Sequence, residues 1–363
     1  MLKKVLSLLA VCMFFGLTAF AANPNDATVT GNKVSIGKYF KLQNDNTTSP
    51  EETFYLVQVG NATVTECTPG TTAPNLETIT DAGYSGTDPL VGKVTFAEGA
   101  AKLTPTAADR QNFEIELPAY TAVGVYEYTL REVNNKTGGV TYWNHDIKLF
   151  ITVAVNDEGK YYVSGVHAEE NIDTDAKADN FTNKYSANTD TNEDPNGGIG
   201  IKKTVSGSLG DRDRYFDFTI TFKAEAADIN YATAPTVTVA GGSHTHNPAS
   251  IDLTSLTADD PVVVNFKLKH GETIRFGNVP YGVTYTYAEN DYSSEGYTTT
   301  KGTATDVVNT PSDDYEVTND KDPGIDTGIF DLDDMPYVMT LVLVMLGGVV
   351  FFIGKKRKIE DRT

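Results

Sequence analysis

Apolar and polar side chains alternate along most of this chain. The first half holds Val34-x-Ile36, Phe54-x-Leu56, Phe113-x-Ile115-x-Leu117, Tyr126-x-Tyr128-x-Leu130 and Ile147-x-Leu149-x-Ile151-x-Val153. The second half holds Phe216-x-Phe218-x-Ile220-x-Phe222, Val262-x-Val264-x-Phe266 and Tyr285-x-Tyr287. A period of two, bounded by Gly, Pro, Asn and Asp, predicts half-buried antiparallel strands. Many short strands with turn signals predict an all-β protein of Ig-like β-sandwiches. A polar stretch without large apolar groups, 186–198, divides the strands into two tandem domains, 27–185 and 199–322, and reads as a linker.

The ends have a different pattern. Residues 1–21 carry Lys3 and Lys4, then an apolar run closing on Ala19-Phe20-Ala21, the layout of a secretory signal peptide. Within 323–363, the stretch 335–354 is uncharged and long enough for a transmembrane helix, and Lys355, Lys356, Arg357 and Lys358 follow it. Because Thr327-Gly328 precedes the run, a plain membrane anchor and a cell-wall sorting signal are equally good readings of the pattern.

Charge and chemistry narrow the function. A formal net charge of −20 argues against nucleic-acid binding, which needs a basic footprint. Of two cysteines, Cys12 lies in the signal, so an exported protein keeps only Cys67 and no intrachain disulfide. Robustness must come from another source. GGIGIKKT lacks phosphate-loop spacing, and His244-x-His246 sits in a Gly-rich turn without a nearby carboxylate or cysteine. Neither a metal nor a cofactor is expected. With no zinc motif, serine elbow or Cys–His arrangement, the chain does not read as an enzyme.

The phase of a few polar residues is more informative. Lys38 shares a strand face with Val34, Ile36 and Phe40, and Lys203 shares one with Ile199, Ile201 and Val205. Glu132 is in phase with Tyr126, Tyr128 and Leu130, and Glu289 with Tyr285 and Tyr287. Asn183 is in phase with Phe181, and Asn319 with Val317. Each domain is therefore expected to bury one lysine, one carboxyl and one carboxamide. A buried ammonium must be paired or lose its proton. Two accounts fit: a buried Lys–Glu salt bridge beside a hydrogen-bonded Asn, or attack of a neutral amine on the carboxamide, with the glutamate moving the proton.

Longer phrases carry a family likeness. IKKTVSGSLGDRDRYFDFTITFKA (201–224), LKHGETIRFGNVPYGVTYTYAENDYSSEGYTT (268–299) and VTNDKD (317–322) lie in the second domain. KVSIGKYF, GVYEYTLREVNN and FTNK lie in the first. On these the chain resembles the streptococcal major-pilin family of Gram-positive bacteria, built from pilin isopeptide-linkage (CnaB-type) domains. The resemblance implies intramolecular bonds Lys38–Asn183 and Lys203–Asn319, promoted by Glu132 and Glu289. It also implies a sortase transpeptidase as partner, acting at Thr327, which is then joined to other pilin subunits or to peptidoglycan. The product is a sortase-assembled pilus or fibre at the cell surface.

Two departures bear on assembly. The family's sorting pentapeptide has the form Leu-Pro-x-Thr-Gly, whereas this chain has Gly324-Ile325-Asp326-Thr327-Gly328. The lysine that joins subunits in the family falls here on His167, whose imidazole forms no stable amide; Lys160, Lys177 and Lys184 are nearby substitutes. The alternative is a non-polymerised or minor surface stalk or adhesin, with Trp143 and the Tyr-rich strands as a carbohydrate-binding surface.

Overall fold

The structure, a computed structural model, describes residues 27–170, 181–232, 236–242 and 246–323. In the first half the chain forms β1 (Thr28–Thr30), β2 (Lys33–Leu42), β3 (Glu52–Gln58), β4 (Thr63–Thr65), β5 (Leu90–Phe96), β6 (Gln111–Glu116), β7 (Gly124–Glu132), β8 (Val140–Thr141), β9 (Ile147–Val155), β10 (Tyr161–Glu170) and β11 (Phe181–Tyr185). The second half forms β12 (Gly198–Ser206), β13 (Phe216–Lys223), β14 (Val237–Gly241), β15 (Ser250–Ile251), β16 (Val262–Leu268), β17 (Thr273–Gly277), β18 (Thr284–Glu289), β19 (Thr298–Thr300), β20 (Thr303–Val307) and β21 (Ser312–Asp320).

Each half is a two-sheet sandwich. In the first module one sheet runs β1-β2-β11-β8, with β6 also on β2, and the other runs β10-β9-β7-β3-β5, with β4 on β7. In the second the sheets run β15-β14-β17-β12-β21-β19 and β16-β13-β18-β20. Among the described strand pairs, β2 with β11 and β12 with β21 are the parallel ones. Parallel neighbours need a long crossover, and here the rest of each module provides it. The long opening strand and the closing strand of each module thus lie side by side.

The alternation works as the pattern predicts. Val34, Ile36, Phe40 and Leu42 of β2 face the first core, where Phe40, Phe54 and Phe96 meet edge-on with centroids 5.2–5.8 Å apart. Ile199, Ile201 and Val205 of β12 face a separate second core with Phe218 stacked on Phe266. Tyr126, Tyr128, Tyr285 and Tyr287 are core residues in the same phase.

The expected fold class needs one correction. The described residues form an all-β architecture: among them no helix is long and apolar enough to cross a membrane, and the helical pieces are two short 3-10 turns. The stretch 335–354, whose length and lack of charge prompted that expectation, lies outside the described residues, as do the signal 1–21 and Thr327-Gly328.

The segment 186–198 is also unlike a solvated linker. Ala187, Asn188, Thr189, Asp190 and Thr191 are buried. Asn188 donates from Nδ2 to Phe276 O (3.1 Å) and accepts from Val279 N (2.7 Å). Asp190 N donates to Asn46 O (2.7 Å), and its carboxylate accepts from Thr48 Oγ1 (2.9 Å) in the first module and Thr238 Oγ1 (3.0 Å) in the second. Thr48 N donates directly to Asn278 Oδ1 at 3.0 Å. Polar composition signalled a loop, yet these groups are satisfied by protein partners across the junction rather than by water. Gly198 closes the segment at φ 74°, where a Cβ would lie 2.4 Å from Phe276 O.

Candidate functional site: two buried lysine–glutamate–asparagine clusters

Lys38, on β2, points between the sheets with no exposed side-chain surface. Phase alone puts it there, because Ile36 and Phe40 flank it on the buried face. It pairs in register with Phe181, so Asn183 lies two residues further along β11 on the same face. Glu132 ends β7 in the facing sheet, opposite Leu56. The three side chains form a closed ring. Lys38 Nζ donates to Asn183 Oδ1 at 2.6 Å and to Glu132 Oε2, and Asn183 Nδ2 donates to Glu132 Oε1. The two oxygens of one carboxyl thus face the amine and the carboxamide nitrogen separately. The Phe54 ring lies 4.8 Å from Lys38 Nζ, and the Trp143 amide donates to Glu132 Oε1 at 3.2 Å.

The second module repeats the plan. Lys203 pairs in register with Val317, two residues before Asn319, and Glu289 pairs with Phe218. Lys203 and Glu289 have no exposed side-chain surface, and Lys203 Nζ lies 2.7 Å from Glu289 Oε1. That approach is off the hydrogen-bonding direction, leaving Lys203 Nζ and Asn319 Oδ1 without hydrogen-bond partners. Asn319 Nδ2 donates to Glu289 Oε1 at 3.1 Å, and Thr299 Oγ1 donates to Oε2 at 3.4 Å. The Phe216 ring lies 4.6 Å from Lys203 Nζ. Lys202, the neighbour that phase sends outward, is half exposed and 3.4 Å from Glu316.

Burial shapes the acid–base chemistry. Desolvation pushes the Lys38 and Lys203 amines below the ordinary lysine range, against the opposing pull of Glu132 and Glu289. Desolvation likewise pushes the Glu289 carboxyl up, against Lys203. Both shifts favour a neutral amine beside a neutral acid in the second cluster, the state an amine nucleophile needs.

Other expected site residues are scattered. Lys160 is exposed beside Glu158 (3.4 Å), and Lys184 is exposed on β11. Lys177 lies outside the described residues. His167 stacks on Phe150 and touches Glu169 Oε2 at 3.2 Å. Cys67 is half-buried, with Sγ 3.8 Å from Val64 O. Trp143 packs edge-on to Phe181. Glu52 is a further buried carboxyl, not among the expected site residues. It precedes Phe54 and Leu56 by two and four residues, so the same phase argument, carried one step back along β3, places it inward.

Both modules are Ig-like sandwiches that bury a lysine, a glutamate and an asparagine together between their sheets. Comparison with known proteins bears on both modules. Residues 34–186 match the family of the Spy0128-like isopeptide containing domain (FctA), and 197–321 match a domain of unknown function, DUF7601. The chain is similar to a pilin of Streptococcus pyogenes serotype M1, 28% identical over 94% of this chain and 96% of the relative. The crystal structure of the major pilin from Streptococcus pyogenes covers 81% of this chain and all of that one, at 23% identity and a TM-score of 0.47. The T3.2 major pilin of the same species covers 81% and 99%, at 20% identity and a TM-score of 0.45. The chain is similar to streptococcal pilins along nearly its whole length, and its residues 34–186 match the Spy0128-like isopeptide containing domain. Its place is outside the cell, at the cell wall or in a pilus.

Proposed function

We propose that each cluster closes into an intramolecular isopeptide bond, Lys38 to Asn183 and Lys203 to Asn319, and that the protein is a load-bearing pilus subunit clamped by these bonds. The supporting observation is a buried carboxyl that touches both the amine and the carboxamide nitrogen of its own module. Lys Nζ attacks Asn Cγ, and the protonated glutamate gives its proton to the departing nitrogen and takes one from the attacking amine. The Cγ–Nδ2 bond breaks, ammonia leaves, and the Nζ–Cγ amide remains. Folding provides the proximity.

Each bond ties the opening strand of a module to its closing strand, where tension applied at the termini would otherwise begin to separate the sheet. An amide also cannot be reduced, which suits an exported chain whose mature part holds one cysteine. Between subunits, a sortase would join Thr327 to an amine of the next copy or of peptidoglycan. Lys160 and Lys184 are exposed amines of the first module, and Lys177 is the third candidate. Mapping the branched peptide that contains Thr327 in wall-extracted fibres tests this step. A linked lysine other than these three would refute the assignment.

The pH dependence of bond formation checks the proton roles. The reactive pair holds one proton in total. Acid blocks it by protonating both groups, and alkali blocks it by removing the shared proton. With Lys203 held below 10.5 and Glu289 above 4.5, the rate of the second bond is expected to peak inside that interval. A rate that climbs steadily to pH 10.5, as for a free amine, would contradict it.

A further inference from the structure

The two clusters occupy matching positions along the facing strands, and their surroundings then diverge. Glu132 pairs with Leu56, two residues past Phe54, the ring beneath Lys38. Glu289 pairs with Phe218, two residues past Phe216, the ring beneath Lys203. Two residues before those rings stand Glu52 in the first module and Arg214 in the second. Arg214 is partly exposed, turns to Glu295 and covers Tyr292 and Phe216. Glu52 is 2% exposed and, among the described residues, has no cationic partner within salt-bridge distance.

The hydrogen bonds of Glu52 lead to the first ring. Its Oε1 accepts from Tyr142 OH at 2.8 Å and from Asn135 Nδ2 at 2.9 Å. Tyr142 packs edge-on to Phe54 with centroids 5.9 Å apart. The next residue, Trp143, donates its amide to Glu132 Oε1 and lays its ring 5.6 Å from Phe181, the residue opposite Lys38. The Tyr142–Trp143 pair therefore touches the ring beneath the amine, the carboxyl and the strand that carries the carboxamide. Glu52 is its buried anchor. A buried carboxyl without a counter-charge costs stability, and here its oxygen is spent on fixing this pair.

We propose that Glu52 is a positioning residue for the Lys38–Asn183 bond: it holds the Tyr142–Trp143 pair so that the Trp143 amide keeps Glu132 aimed at both reacting nitrogens. The proposal rests on the isopeptide reading above. The second module, with Arg214 at the matching position, has no such anchor and serves as an internal control.

The test follows the two bonds separately in the full chain, by peptide mass at intervals after a short pulse of synthesis. In Glu52→Ala and in Tyr142→Phe the first bond is expected to form roughly tenfold to a hundredfold more slowly, the scale for reacting groups displaced by about 1 Å. The second bond should keep its parental rate. Glu52→Gln retains an acceptor oxygen for Tyr142 and is expected to restore the first bond's rate. An unchanged first-bond rate in Tyr142→Phe overturns the proposal even if Glu52→Ala fails to fold. Equal slowing in Glu52→Gln and Glu52→Ala also overturns it, because charge rather than positioning would then be at work. A parental chain that forms neither bond removes the isopeptide reading itself, a result distinct from both.

Discussion

A chain carrying both Glu132→Ala and Glu289→Ala is expected to fold, to show its full sequence mass, and to melt about 10–20 °C below the parent. The first bond closes a loop of 145 residues. In the chain-entropy account, a cross-link of that span stabilises by about 5 kcal/mol, and modules of this size shift by about 2–4 °C per kcal/mol. The core need not collapse, because Lys38 and Lys203 are held below the ordinary lysine range and can stay neutral beside Phe54 and Phe216. Mass and calorimetry on the double variant and on each single variant check this. Formation of both bonds without either glutamate would remove their assigned role.

Asn188→Ala is expected to have the next largest effect, at the junction of the modules. Its side chain alone bridges Phe276 O and Val279 N in a buried site. Alanine removes both bonds and leaves the buried Val279 amide without its partner, at a cost of about 1–3 kcal/mol. The second module should melt earlier, and the segment 186–198 should become a site of rapid proteolysis while the first module's transition holds. Unchanged protease resistance in that segment would show that the junction does not depend on Asn188. The expectation matters for load-bearing, because a junction held by Asp190, Thr48 and Asn278 transmits bending between modules and a free linker does not.

Much of this architecture was legible in the sequence because strand phase is a strict code. A side chain at an even offset from a core residue lies on the core face, so Lys38, Glu132, Asn183, Lys203, Glu289 and Asn319 could be placed inward without coordinates. The same rule separates Lys203 from the exposed Lys202. Phase does not report which inward groups meet across the gap between sheets; that depends on register, and the register was seen only in the pairings Lys38 with Phe181 and Lys203 with Val317. The junction was misjudged for a different reason. Ser, Asn, Thr and Asp mark a loop by composition, but composition does not show whether their polar groups turn to water or to protein. Glu52 went unnoticed because it stands at the first position of its strand, outside the clear run from Phe54.

The central claim is covalent closure of both clusters, and the intact mass of residues 27–322 tests it most directly. Each closure expels one ammonia, about 17 Da, when the amine displaces the carboxamide nitrogen. The account predicts a deficit of about 34 Da from the sequence mass, with digestion locating the links at Lys38–Asn183 and Lys203–Asn319. A folded protein at its full sequence mass would contradict it and leave two buried ion pairs in place of two bonds.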